Sequence, residues 1–140
     1  MATWEEISIH LRTSYSLVVV ESGWLGMEWT FTHQGAVFRQ RVKIERSTSY
    51  ASDWVLVMAA VCRSDALDTA GALRFNSRLA IGSLAIDGAT CYLRAALPAD
   101  TLVFRDLDRT IELVARETAR LRVPSRQDAG TATLFTHYED

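Results

Sequence analysis

The segment LGMEWTFTHQGAVFRQRVKIE, residues 25–45, fits a β-hairpin in a single register, and the rest of the predicted sheet is built around it. A two-residue turn at Gln34-Gly35 would join two arms of alternating residues. One face then becomes apolar through the cross-strand pairs Leu25 with Ile44, Met27 with Val42, Trp29 with Gln40, Phe31 with Phe38 and His33 with Ala36. The opposite face becomes polar through Glu28 with Arg41 and Thr30 with Arg39. Gln40 is the one misfit, and a slip of one residue would move the whole apolar set to the other face, so the pattern fixes the register.

The next strand, DWVLVMAAVC at residues 53–62, has no face suited to water. Its two alternating sets are both apolar: Trp54, Leu56, Met58 and Cys62 on one side, and Val55, Val57 and Val61 on the other. The protein's own helices can cover one side, whereas the second needs another helix, a second copy of the chain or a bound polypeptide. The predicted partner contacts are therefore either the valine set or two tryptophans: Val55, Val57, Val61, Trp24 and Trp54. Burial in the core is the alternative for the tryptophans, since aromatic residues on strands commonly pack there.

Two further strands are predicted from RLAIGSLAIDGATCYLRAALP, residues 78–98. Asp87-Gly88 suits a two-residue turn that pairs Ile86 with Ala89, Leu84 with Cys91 and Gly82 with Leu93. Upstream, SLVVVE at residues 16–21 is rich in β-branched residues and is expected to be a strand. The polar segment STSYASD, residues 47–53, is expected to be a loop.

Three segments have helical spacing. The first follows Thr3, a possible N-cap, and carries Trp4, Ile7 and Leu11 on one face. The predicted faces of the second and third are Ala66, Ala70, Leu73 and Ser77, and Leu107, Ile111, Val114, Thr118 and Leu121. The element order is therefore α-β-β-β-β-α-β-β-α, which predicts an α+β fold with one antiparallel sheet packed by helices.

The length of 140 residues and the 49% hydrophobic content are those of one compact domain. We expect this α+β domain to span residues 1–123 and a polar C-terminal tail to occupy residues 124–140. Within that tail, TLFTHY at residues 133–138 is predicted to add as a strand to a neighbouring subunit.

The formal net charge of -2 offers no concentrated basic surface, which argues against nucleic-acid binding. The first ten residues, MATWEEISIH, lack the basic and apolar regions of a secretory leader, and no run approaches the ~20 apolar residues that cross a bilayer. We therefore expect a cytoplasmic protein with neither nucleic acid nor membrane as a partner.

No arrangement of reactive residues indicates an enzyme. The histidines lie far apart at positions 10, 33 and 137, and no glycine pattern predicts a phosphate loop. Cys62 and Cys91 lie in apolar runs and are expected to be buried free thiols, although a small cysteine-dependent enzyme is a minor alternative. The sequence predicts no metal, no cofactor and no catalytic residue.

The segment from Asn76 onward resembles a known family. Asn76, Leu79 and Gly82 precede LAIDG at residues 84–88, and a second strand, Leu97-Pro98 and a long amphipathic helix follow. This pattern is similar to the type III secretion chaperone-like superfamily, and within it to the YbjN-like family. The resemblance covers the element order from about residue 3 to 122, with recognisable residues only from 76 to 122.

The resemblance implies a small, cytoplasmic, non-enzymatic bacterial protein that is usually a homodimer and holds a partner polypeptide. Secretion chaperones of this kind wrap an extended segment against sheet edges and hydrophobic patches, and the family has no catalytic residues to carry over. The leading hypothesis is a chaperone or adaptor that binds a protein client. The alternative is a YbjN-like stress or signalling regulator that acts through self-association.

Overall fold

The computed structural model describes residues 2–33 and 35–122 of the chain. Within these residues, three α-helices and six strands follow the predicted order, which confirms the α+β fold. The bounds are α1 Trp4–Ser14, β1 Leu17–Val20, β2 Trp24–His33, β3 Ala36–Ser49, β4 Ser52–Arg63, α2 Thr69–Asn76, β5 Ser83–Asp87, β6 Thr90–Pro98 and α3 Phe104–Arg122. A single 3-10 turn, Ser64–Ala66, joins β4 to α2.

The strands form one antiparallel sheet in the order β1-β2-β3-β4-β6-β5. All three helices pack on the same face of this sheet. The buried residues of the helices pack against strand residues whose side chains point to that one face. The main core joins α1 and α3 to that face, and includes Ile7, Leu11, Ile44, Val57, Leu107 and Ile111. A second cluster packs α2 and the end of α3 on β4, β5 and β6.

The β2–β3 hairpin has the predicted register throughout. Its cross-strand pairs run from Trp24 with Glu45 to His33 with Ala36. Leu25, Met27, Val42 and Ile44 of the predicted apolar face are buried against the helices. The turn chemistry and the alternation of residues were therefore sufficient to fix this element.

The first and last helices also match their predicted faces. Thr3 caps α1 through a reciprocal capping box with Glu6. The stripe of α3 predicted from Leu107 to Leu121 is buried at all five positions. The second helix differs: α2 begins at Thr69, buries Gly71, Ala72 and Phe75, and leaves Leu73 67% exposed. Its apolar residues are too few to define a face by spacing alone.

Three local predictions are corrected by the structure. The hairpin turn after β5 is Gly88-Ala89, since Asp87 pairs with Thr90 and Leu84 with Leu93. The shift from the predicted register is two residues, so the side chains keep their faces. The segment 47–53 is not a loop: β3 and β4 continue through it and meet at a two-residue turn, Tyr50-Ala51.

The third correction concerns Cys62. The pairing of β4 with β6 shifts between Ala60 and Cys62, and this irregularity turns Cys62 onto the helix-covered face, directly opposite Cys91. The predicted set of Trp54, Leu56, Met58 and Cys62 therefore does not share one face.

Candidate partner-binding surface

The structure places the three predicted valines inside the core. Val55, Val57 and Val61 are 1%, 0% and 0% exposed, and α3 lies over this part of β4. The chain's own helices thus cover the valine side of the strand. The opposite side of β4 is the one that lacks a helical cover in the described part of the chain.

That opposite side belongs to a surface that we call the open face. It consists of the sheet residues whose side chains point away from the three helices. Its apolar members on the central strands include Trp24, Trp54, Leu56, Met58, Ala60 and Tyr92. Leu56 is 9% exposed because its neighbours shield it, whereas Trp24, Met58 and Tyr92 are half-buried. The two predicted tryptophans therefore share a face, and the valines lie on the other one.

Trp24 and Trp54 have different local roles. The indole N–H of Trp54 donates to the backbone oxygen of Ser49 at 3.0 Å, which braces the Tyr50-Ala51 turn. The ring of Trp24 lies under the Lys43 ammonium, whose Nζ is 4.9 Å from the ring centroid. Trp54 thus stabilises one end of the sheet, and Trp24 is placed beside a cation near the sheet's centre.

The sheet is split next to Trp24. Pairing between β3 and β4 ends at Lys43 with Met58, and the remainder of β3, residues 36–42, is paired only with β2. On the other side of the split, residues 59–63 of β4 pair only with β6. The two halves of the sheet diverge from this point.

A cavity of about 190 Å³ opens at the split, and we call it the cleft. Its lining includes Trp24, Gly26, Lys43, Met58, Tyr92 and Arg122. A Cβ built on Gly26 would come within 3.4 Å of Val19 and 3.5 Å of the Trp24 ring, so the absence of a side chain there helps to keep the cleft open. The cleft is mainly apolar, with cations at its margin.

Side chains hydrogen-bond to the backbone of β3 where its pairing with β4 ends. Arg122 Nη1, at the end of α3, donates to Gln40 Oε1 at 3.0 Å and to the backbone oxygen of Arg39 at 3.3 Å. Gln40 Nε2 donates to the backbone oxygen of Arg41 at 2.8 Å. Gln40 is 1% exposed, so these bonds meet the requirement that a buried amide be satisfied. The misfit in the hairpin pattern therefore marks the place where the sheet divides.

Charge on the open face is mixed, with more cations than carboxylates around the cleft. Glu28 lies 3.5 Å from both Arg39 and Arg41, and Lys43 lies 3.5 Å from Glu45. The two arginine side chains are largely exposed, so these ion pairs contribute little to stability and leave the guanidinium groups accessible.

Two other groups of polar residues lie on the helix side of the sheet. Asp108 of α3 accepts a hydrogen bond from the Tyr15 hydroxyl at 2.9 Å and lies 2.9 Å from His10 Nε2. Burial raises the pKa of Tyr15 well above its ordinary value, and the bond to Asp108 raises it further. This cluster ties α1 to α3 and is enclosed by the Phe104 ring, which stacks on His10 at 4.4 Å.

Cys62 and Cys91 are fully buried free thiols on adjacent strands. A hydrogen bond with Cys62 lowers the pKa of Cys91, while burial acts in the opposite direction. Among residues 2–33 and 35–122, no group of three or more His, Cys, Asp or Glu side chains is arranged to hold a metal ion. The same residues contain no helix long and apolar enough to cross a membrane.

Sequence reasoning missed the cleft and most of its lining. Tyr92, Lys43 and Arg122 come from three different elements and meet only because β3 and β4 diverge. Gln40 was the available signal, since a buried amide in an apolar row requires a partner.

No family model and no curated protein matches this chain. Among solved structures, the chain is similar to one from the HopA1-SchA chaperone-effector complex, with a TM-score of 0.52 and 16% sequence identity. The match covers 83% of this chain and 88% of the other. The chain therefore has the secretion-chaperone-like fold that its sequence predicted.

Proposed function

We propose that this protein is a non-enzymatic chaperone or adaptor that binds a partner polypeptide on the open face, with the cleft as the main contact. The observation that carries the proposal is an apolar cleft on the sheet face opposite the three helices, where Arg122, the last residue of α3, is the one helical residue in its lining. The structural neighbour comes from a complex of a chaperone with its effector, which supports the same class of function. A bacterial source and a cytoplasmic location are part of this proposal.

Trp24, Met58 and Tyr92 provide the binding energy in this proposal. Each is half-buried in the unbound chain, and the full burial of one large apolar side chain contributes about 1.5–3 kcal/mol. Aromatic residues in a pocket are the usual energetic centres of protein interfaces. The valines Val55 and Val57 support this surface from below and do not form part of it.

The charges around the cleft indicate the chemistry of the partner. Arg39, Arg41 and Lys43 are accessible cations on the open face, and Lys43 also faces the Trp24 ring. A partner segment with one or two large apolar residues beside acidic residues would match both features. The role of Trp54 as a partner contact stays a prediction, since its indole N–H is engaged within the chain.

The alternative is a regulator that uses the same face for self-association, as the YbjN-like resemblance implies. A homodimer through the open face would cover Trp24 and Met58 equally well, because a two-fold interface brings the same patch from both copies together. The partly exposed apolar residues of this face, Trp24, Met58 and Tyr92, favour both functions over a freely monomeric protein.

A comparison of captured partners tests the proposal. The protein, tagged and expressed at its natural level in its native host, is isolated together with bound proteins, which are quantified by mass spectrometry. Met58→Glu places a charge in the cleft, and Leu73→Glu is the control because Leu73 is exposed on α2 away from this face. We expect one polypeptide in a stoichiometric amount with the native protein and with Leu73→Glu, and its loss with Met58→Glu.

Two other results would change the conclusion. Recovery of the native protein alone as a dimer, converted to a monomer by Met58→Glu, would support the self-association alternative. A partner retained at full stoichiometry by a folded Met58→Glu variant would contradict the use of the cleft.

A further inference from the structure

We propose that residues 133–140, TLFTHYED, of the same chain dock in the cleft. These residues belong to the C-terminal segment 123–140, which lies outside the described residues. The proposed occupant is therefore a tethered segment that covers the open face when no other polypeptide is bound.

The first argument is the place where the described chain ends. Arg122 is the last residue of α3 and also lines the cleft, where it bonds to Gln40 and to the backbone of Arg39. The segment from residue 123 onward therefore starts at the cleft itself. The stretch from Arg122 to Thr133 can span up to about 35 Å when extended, which is ample for the segment to turn back onto the open face.

The second argument is chemical complementarity. Leu134, Phe135 and Tyr138 offer three large apolar side chains to a cleft walled by Trp24, Met58 and Tyr92. Glu139 and Asp140 follow directly and are opposite in charge to the cations that line the cleft: Arg41, Lys43 and Arg122. The segment thus has the apolar and acidic character that the surface requires.

The third argument concerns the choice between the same chain and a second copy. A segment tethered by a short linker has an effective concentration in the millimolar range. A second copy at micromolar concentration would have to compete against this advantage. Docking within one chain is therefore favoured, in contrast to the strand exchange between subunits that the sequence alone predicted for TLFTHY.

If the proposed function is correct, the segment also regulates it, because a partner must displace TLFTHYED to reach Trp24 and Met58. This regulatory consequence rests on the proposed function, whereas the docking itself does not. A client with more apolar contacts than the segment would bind, and weakly apolar polypeptides would be excluded.

A paramagnetic label tests the docking without any partner. Thr131→Cys introduces a thiol for labelling just before the segment, while the native Cys62 and Cys91 are fully buried. A nitroxide attached at position 131 of the full-length, ¹⁵N-labelled protein should broaden the amide signals of Gly26, Ala60 and Tyr92 beyond detection. Reduction of the nitroxide should restore these signals.

The matched control is the same labelled protein with Leu134→Ser and Phe135→Ser, which keeps the linker and the acidic residues. In this control, broadening at the cleft should fall to the level seen at an exposed helix position such as Leu73. Equal broadening of the cleft in the two proteins would overturn the proposal. The proposal would also be overturned if the cleft signals broadened only in a mixture of nitroxide-labelled ¹⁴N protein with ¹⁵N protein that carries no nitroxide. The segment of one copy would then reach the cleft of a second copy.

Discussion

Gly82 should tolerate a methyl group less well than Gly88 or Gly23 does. Its φ is +70°, a conformation that L-residues adopt at a cost of about 1–2 kcal/mol. A Cβ at this position would lie 2.5 Å from the backbone oxygen of Arg94 and 3.1 Å from its carbonyl carbon. Both contacts are with β6 backbone, which cannot move without disturbing the pairing of β6 with β4 and β5.

The two effects can be added to give an expected magnitude. The shifts in structure that make room for an extra methyl group in a well-packed site typically cost about 1–3 kcal/mol. The total for Gly82→Ala is then about 2–5 kcal/mol, a large share of the roughly 5–15 kcal/mol that stabilises a domain. The expected result is a clear fall in the urea midpoint with little change in the slope of the transition.

Gly88→Ala separates the backbone conformation from the steric clash. Gly88 has a φ of +60°, but a Cβ there would meet nothing within 4 Å. This control should lose only about 1–2 kcal/mol. Gly23→Ala has neither problem and should be close to neutral. If Gly82→Ala were no less stable than Gly88→Ala in urea unfolding, the close approach of residue 82 to β6 would be wrong.

Three further perturbations follow from named contacts. Ala51→Gly should stabilise the protein by roughly 1 kcal/mol in urea unfolding, because Ala51 has a φ of 57° that glycine adopts freely; a loss of stability would contradict this turn conformation. Tyr15→Phe should be less stable than the native protein at pH 8, since it loses the bond to Asp108. Because folding raises the pKa of Tyr15, its contribution is fully present below the ordinary value of 10.0 and declines as the pH rises above it. The stability difference should therefore shrink from pH 8 to pH 11, and a constant difference would argue against the raised pKa. Asn76→Ala should increase the exchange rate of the Leu84 amide hydrogen, whose nitrogen donates to Asn76 Oδ1 at 2.7 Å, and an unchanged rate measured by NMR would show that this bond gives no protection.

The confirmed elements are those in which several local signals agree. The β2–β3 hairpin combines a turn with strict alternation, and α3 combines a long apolar stripe with charges suited to its dipole. The register of β5 with β6 failed because Asp87-Gly88 and Gly88-Ala89 give the same faces. A difference of two residues leaves no trace in an alternating pattern.

The faces of β4 show why the candidate site was predicted only in part. Every residue from Val55 to Cys62 is small or apolar, so nothing in the sequence reveals the irregularity after Ala60. The requirement for cover on both sides of β4 was visible in the sequence. Which side the helices cover depends on long-range packing, and the sequence could not separate Trp24 from the buried Val57.

Gln40 connects the fold to the proposed site. A fully apolar residue at this position would satisfy the hairpin pattern, yet it could neither bond to Arg41 nor receive Arg122. In residues 36–42, β3 does not pair with β4. The backbone there would then lose side-chain hydrogen bonds that take the place of that pairing. A local exception to the pattern thus allows the sheet to divide without leaving its backbone unsatisfied. The division creates the cleft, and the cleft is the surface that a partner or the chain's own C-terminal segment can occupy.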